Sequence, residues 1–80
     1  MSIIGGMMLS DMRPGNFARV IGIEGGNRMR QSLHLRGLTE GSVLRVISNI
    51  GPVTIEVNGS TICIGRGMAE KIRLIGERSA

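Results

Sequence analysis

Aromatic residues are nearly missing from the 80 residues of this sequence, since Phe17 is alone and Trp and Tyr are absent. A core without rings must be built from Ile, Val, Leu and Met, and branched aliphatic residues favour strands. Domains that bind single-stranded nucleic acid usually stack bases on aromatic side chains. We therefore expect a small aliphatic core that contains Phe17, and nucleic acid is disfavoured as the partner.

Cysteine and histidine are scarce as well, with one of each. The single Cys63 excludes an intrachain disulfide and fits a reducing compartment. We expect Cys63 to be a buried strand residue and His34 to be a solvated helix residue. Neither they nor the carboxylates have the spacing of metal ligands, and no catalytic triad or phosphate-binding glycine motif can be assembled. The sequence predicts no enzyme, no cofactor and no metal site.

No apolar run approaches the roughly 18 residues that a membrane span requires. The first eight residues are mildly apolar, but no basic residue precedes Arg13 to make them a signal peptide. We expect residues 1–8 to be a flexible start, with no direct membrane insertion. The predicted location is the cytoplasm, and any contact with the membrane would go through a partner.

Basic residues outnumber acidic ones by ten to six, which gives a formal net charge of +4. All of the basic residues except Lys71 are arginines, whose forked donors suit carboxylates and phosphates. An acidic protein face is therefore implied as partner. Nucleic acid or anionic lipid would satisfy the same charge, so charge alone does not choose among them.

Thirteen glycines divide the chain into short segments. Five of these segments have the apolar pattern of strands, namely residues 17–24, 42–50, 53–57, 61–64 and 72–75. Asn58 and Gly59 stand between two of them, and an Asn-Gly pair in that position is a strong hairpin signal. Residues 65–67 are expected to break the chain before one helical turn at residues 68–71.

One helix is predicted over residues 28–36, directly after the first strand. Met29 and Leu33 are four apart and share one face. The polar residues Arg28, Arg30, Gln31, Ser32 and His34 occupy other positions of the helix. Asn27 is the expected N-cap, and Gly37 is expected to end the helix. The whole pattern predicts a mainly β domain at residues 9–76, a small partly open barrel of five strands with one inserted helix, followed by a tail at 77–80.

The chain resembles the ferrous-iron transport protein A family of small cytoplasmic SH3-like barrels. The resemblance is carried by the order and spacing of residues 9–15, 20–26, 37–42, 59–64 and 68–72. Two departures stand out: Arg36 precedes Gly37 where the family usually has Leu or Met, and residues 65–67 are richer in glycine than the family norm. These departures concern the packing of the helix and the last turn, and leave the SH3-like fold in place.

The resemblance implies an accessory role in prokaryotic ferrous iron uptake. The implied partner is the membrane permease of that system, which carries a cytosolic GTP-binding domain and would recruit the chain to the inner face of the membrane. Binding would modulate the activity or assembly of the permease, and the resemblance leaves a homo-oligomer open. The alternative is a nucleic-acid-binding small barrel, which the basic charge permits, or an SH3-like domain related to those of metal-dependent repressors.

The candidate partner-binding residues are basic and cluster on the predicted helix. With Met29 and Leu33 facing the core, we expect the outer face of the helix to be exposed. Arginine is enriched at protein interfaces, although a merely solvated face is the plainer alternative. The candidates, which include one residue of the 65–67 corner, are Arg28, Arg30, His34, Arg36 and Arg66.

Overall fold

The computed structural model describes residues 6–77, and residues 1–5 and 78–80 lie outside that range. The described chain contains six strands, two helices and a 3-10 turn at Leu9–Asp11. The strands are β1 (Met7–Met8), β2 (Phe17–Ile23), β3 (Val43–Ser48), β4 (Val53–Val57), β5 (Ser60–Ile64) and β6 (Ile72–Glu77). The helices are α1 (Asn27–Leu35), between β2 and β3, and α2 (Arg66–Ala69), between β5 and β6.

The strands form one antiparallel sheet in the order β1-β6-β2-β3-β4-β5. The predicted mainly β architecture with a helix after the first long strand is thus confirmed. The predicted strand count of five is corrected to six, because Met7 and Met8 pair with Leu74 and Arg73. Glu77, placed in the tail by the sequence, ends β6 opposite Phe17. Most of the predicted flexible start and tail lies outside the described residues.

The core is aliphatic, as the composition requires. Inward side chains of β2 to β6 alternate with exposed ones and join residues of the 3-10 turn, α1 and α2 in a single cluster. Phe17 does not join this cluster and is only half-buried, which corrects the expectation that it lies in the core. The fully buried larger side chains are Leu9, Leu33, Leu38, Leu44, Ile55, Ile64, Ile72, Leu74, Val20, Val46, Val53 and Val57.

Helix α1 lies on the sheet through the face that the sequence predicts. Leu33 is fully buried and Met29 packs against the core. The N-cap is Gly26, in extended conformation and without a side-chain bond, so Asn27 is the first helical residue and not the cap. The prediction was one residue late because Asn is a common capping residue, whereas a glycine cap has no side chain to mark it.

The C-terminal end of α1 is closed by a Schellman motif. The N–H of Gly37 donates to the carbonyl of His34, and the N–H of Leu38 donates to that of Leu33, both at 2.9 Å. Gly37 has φ of +94°, a left-handed conformation that glycine adopts without strain. Leu33 and Leu38 are both fully buried, and their burial holds the end of α1 on the barrel.

The hairpin between β4 and β5 has the predicted geometry. Asn58 and Gly59 have φ of 53° and 78°, as a type I′ turn requires, and Val57 pairs with Ser60 across it. The following corner differs from the prediction. Residues 66–69 form α2, so the glycine-rich segment starts this helix instead of breaking the chain before it. Ala69 is buried in the core cluster, which favours the earlier start.

Candidate functional site

The outer face of α1 carries exposed polar residues, while the inner face of the helix packs on the core. Arg28, Gln31 and His34 are exposed, and within residues 6–77 neither Arg28 nor His34 makes a side-chain hydrogen bond or ion pair. Arg28 is therefore a cation without an internal partner. The structure leaves it available to a group outside this part of the chain.

Leu35 is the residue of this face that the sequence reasoning missed. Its side chain is 86% exposed, although it is a large aliphatic residue. Leu35 lies two positions beyond the buried Leu33, which turns it to the opposite side of the helix, and seven beyond Arg28, which puts it on the same side as that cation. The sequence signal for an exposed Leu35 is its position off the face that Met29 and Leu33 share. We call Arg28, Gln31, His34 and Leu35 the α1 face.

Arg30 is less available than the prediction assumed. Its guanidinium lies 3.3 Å from a carboxylate oxygen of Glu40 and donates a 3.0 Å hydrogen bond to the carbonyl of Ile23. These contacts join α1 to the end of β2 and to the segment before β3. The residue thus has a structural role beside the α1 face, and its charge is already compensated.

A shallow cavity of about 260 Å³ lies next to Arg30. Its lining combines a buried aliphatic residue with polar side chains of α1 and of the segment that follows it. It is lined by Ile23, Arg30, Gln31, His34, Thr39 and Glu40. The cavity brings His34 and Gln31 of the α1 face beside the Arg30–Glu40 pair.

Arg36 reaches from the end of α1 to β5. Its guanidinium donates a hydrogen bond of 3.3 Å to the carbonyl of Cys63. Cys63 is exposed, with its Sγ 3.8 Å from Oγ1 of Thr54, so the expectation of a buried thiol was wrong. The expectation followed the residue type, whereas the alternation of β5, with Ile64 in the buried position, turns Cys63 outward.

Arg66 belongs to a different part of the surface. Its guanidinium donates to Oδ1 of Asn49 at 2.7 Å, to the carbonyl of Gly51 at 2.8 Å and to that of Ser10 at 3.3 Å. Asn49 in turn donates to the carbonyls of Ser10 and Met12. The network ties α2 to the β3–β4 corner and the 3-10 turn, so Arg66 is not gathered with the α1 residues and stabilises the barrel.

Ion pairs within residues 6–77 neutralise four acidic residues. The pairs are Arg19–Glu77, Arg30–Glu40, Arg45–Glu56 and Arg73–Glu24, all on or near the surface. The hydrogen bonds from Arg19 hold the pKa of Glu77 below its ordinary value of 4.5, and the same contact raises the pKa of Arg19. Because these acids are occupied, the excess positive charge lies on residues such as Arg28 and Arg36.

The described residues contain no group of three or more His, Cys, Asp and Glu side chains that could hold a metal ion. No helix in the same range is long and apolar enough to cross a bilayer. What this surface offers is a set of cations, a few polar side chains and an exposed leucine. This arrangement is suited to binding.

The profile of the FeoA domain matches residues 7–75, which is most of the chain. The chain belongs to the FeoA domain family. A curated relative, the Putative Fe(2+) transport protein A of Methanocaldococcus jannaschii, is 49% identical over 51 residues. That alignment covers 62% of this chain and 62% of the relative's own length.

Solved FeoA structures have the same fold. A crystal structure of an iron uptake regulatory protein (FeoA) superimposes with a TM-score of 0.85 at 35% identity, covering 92% of this chain and all of that one. The solution structure of the FeoA protein of Chlorobium tepidum gives 0.78 at 28% identity, covering 85% of this chain and 68% of that one. The family resemblance and the SH3-like barrel inferred from the sequence are thereby confirmed.

A manganese-dependent transcriptional repressor shares the fold as well. Its TM-score is 0.83 at 22% identity, with 90% of this chain matched to 37% of the repressor. At this identity the likeness concerns the fold alone. A repressor-related function therefore gains nothing specific from it.

Proposed function

We propose that this protein is an accessory component of ferrous iron uptake that binds the cytosolic part of the ferrous-iron permease and modulates its activity or assembly. Membership of the FeoA domain family over residues 7–75 supports the link with ferrous iron transport. The name of the Methanocaldococcus jannaschii relative points the same way. The protein acts as a binding module, and the GTP-binding chemistry belongs to its partner.

The observation that carries the binding step is the α1 face. It places Arg28, a cation without a described internal partner, on the same side of the helix as the exposed Leu35. A partner carboxylate can pair with Arg28 while an apolar group covers Leu35, and interfaces often combine such contacts at their centre and rim. The partner surface expected here is therefore acidic around a small apolar patch.

Arg30 and Arg36 contribute differently from Arg28. Because Arg30 is paired with Glu40 and bonds the carbonyl of Ile23, replacing it with an acid would also change contacts inside the chain, and a loss of binding would have two explanations. The clean test of the α1 face leaves both arginines in place. It changes only Arg28 and Leu35, whose side chains make no described polar contact.

The test compares two double variants in a pull-down with the cytosolic domain of the permease. Arg28→Glu with Leu35→Glu reverses the α1 face, and like charges opposed at an interface cost several kcal/mol, so association should be lost. The control, Arg13→Glu with Ile50→Glu, makes the same charge change at an exposed arginine and an 89%-exposed isoleucine elsewhere. It should bind like the natural sequence.

Thermal unfolding of both variants checks that the fold is intact, because exposed substitutions usually change stability by within about 0.5 kcal/mol. A folded α1-face variant that still binds would remove this face from the proposal. Loss of binding by the control alone would move the contact to the β3–β4 corner. Failure of the natural sequence to bind the permease domain would overturn the proposed function itself.

A further inference from the structure

The β5 strand is an edge of the sheet. It pairs with β4, and among residues 6–77 no strand pairs with its other side. An edge strand presents unpaired N–H and C=O groups on which another strand can be added. The opposite edge, β1, is only two residues long, whereas β5 has five.

The hairpin register determines which groups face outward. Because Val57 and Ser60 close a two-residue turn, they form a hydrogen-bonded pair, and bonded pairs then recur at every second residue. Ile62 and Ile64 therefore direct their backbone groups to β4. Thr61 and Cys63 direct theirs to the open side.

One of these outward groups has a described partner. The carbonyl of Cys63 accepts the 3.3 Å hydrogen bond from Arg36, and within the described chain no other backbone or side-chain group bonds the outward groups of Thr61 and Cys63. The open side of β5 thus offers two N–H donors and the carbonyl of Thr61. A carbonyl can also accept a second bond, so the Arg36 contact does not close this side.

The side chains of β5 do not protect it. Edge strands usually carry a charged residue, a proline or a bulge that prevents further pairing. The sequence Ser60-Thr61-Ile62-Cys63-Ile64 has no charge and no proline, and its register with β4 is continuous. The strand is therefore competent to accept a neighbour.

Charge selects the kind of neighbour. Arg36 stands at the rim of this edge and contacts a carbonyl, and none of the described carboxylates pairs with it. Its other guanidinium donors suit a carboxylate on an added strand. A second copy of this chain is disfavoured, because pairing β5 with itself would bring two Arg36 side chains to one edge of a protein with net charge +4.

We propose that β5 binds an extended acidic segment of the partner as an additional strand, with the backbone groups of Thr61 and Cys63 bonding that strand and a partner carboxylate pairing with Arg36. This inference rests on the proposed function and adds the mode of recognition. Arg36 directly follows Leu35 of the α1 face and bonds the carbonyl of Cys63 in β5, so the two surfaces are adjacent and one partner can contact both.

The deciding measurement is amide hydrogen exchange of the full chain, followed by NMR with and without the permease's cytosolic domain. Without it, Thr61 and Cys63 amides should exchange fast, whereas Ile62 and Ile64, bonded to β4, should exchange slowly. In the complex, Thr61 and Cys63 should slow by about tenfold or more, since an added strand protects them. A complex that leaves both amides unprotected overturns strand addition and leaves the proposed function standing; absence of any complex overturns both.

Variants supply an independent check. Thr61→Pro removes an N–H that β4 does not use, so the fold should tolerate it, and binding should weaken about tenfold while Thr61→Val binds normally. Arg36→Glu should weaken binding by a similar factor, with Arg13→Glu as the control of equal charge. Equal binding by Thr61→Pro and Thr61→Val overturns the inference. Protection of these amides that grows with the concentration of the chain alone would assign the edge to a second copy and overturn it as well.

Discussion

At the scale of single residues, Gly37 shows how local backbone geometry supports the candidate site. The glycine ends α1 in the left-handed region, and Arg36 directly before it points to β5. A Cβ at position 37 would meet Nδ2 of Asn58 at 3.7 Å, an ordinary contact. The cost of a side chain there is therefore backbone strain and not a clash.

Gly37→Ala should lower the free energy of unfolding by about 1–2 kcal/mol, the usual cost of the left-handed conformation for an L-residue. Urea unfolding measures this. Gly67→Ala is the control, because position 67 lies in α2 with no atom within 4 Å of an added Cβ, and alanine favours a helix. A Gly37→Ala protein as stable as the natural one would show that the Schellman motif contributes little to holding α1.

Predictions for single residues were correct where the backbone conformation restricts the choice of residue type. The Asn58-Gly59 turn and the glycine after α1 were both identified from sequence, because positive φ is costly for other residues. Cys63 and Leu35 were missed or misplaced, since both are apolar by type and are exposed by position. The hydrogen bonds of Arg30 and Arg66 could not be predicted either, because their partners are distant in sequence.

At the scale of elements, β2 and β6 share the longest run of paired residues in the sheet. The Arg19–Glu77 ion pair also joins these two strands. The pair links side chains on neighbouring strands, with N–O distances of 3.0 and 3.2 Å. The folded state lowers the pKa of Glu77 below 4.5 through the hydrogen bonds from Arg19. Glu77 therefore contributes stability that is present above its unfolded pKa and is lost as pH falls through the folded pKa.

Urea unfolding of the natural protein and of Glu77→Gln should therefore differ at neutral pH and converge in acid. The natural protein should be the more stable one above pH 4.5, and its advantage should vanish as Glu77 becomes protonated below that value. Glu70→Gln is the matched control, as Glu70 is exposed and makes none of the described ion pairs. A constant difference between natural protein and Glu77→Gln across this range would contradict the linkage.

The sequence predicts the type of most helices and strands better than it predicts their number and bounds. Alternating Val53, Ile55 and Val57 identified β4 to the residue, because one face is fully buried. The short β1 has no such pattern, and it forms only because β6 offers it an edge. Its existence depends on tertiary pairing and could not be derived from local sequence.

At the scale of the whole molecule, the proposed role in ferrous iron uptake is compatible with a chain that binds no iron itself. Within residues 6–77 the histidine, the cysteine and the carboxylates form no cluster of three potential ligands. Calorimetric titration of the purified protein with ferrous iron under anaerobic conditions should give no one-to-one site of about micromolar affinity or better. A site of that strength that persists in His34→Ala would contradict this expectation.

The arrangement of the sheet places β6 between β1 and β2, and this has a consequence for the making of the protein. β2 leaves the ribosome early, but its longest-paired neighbour is the last strand of the described chain. The β4–β5 hairpin can close as soon as β5 has emerged, because its contacts are local. The inward residues of β2, Ala18 and Val20, stay uncovered until β6 is synthesised. Folding of the barrel therefore completes only when translation has passed Glu77, and a nascent chain paused before β6 exposes aliphatic surface that chaperones recognise.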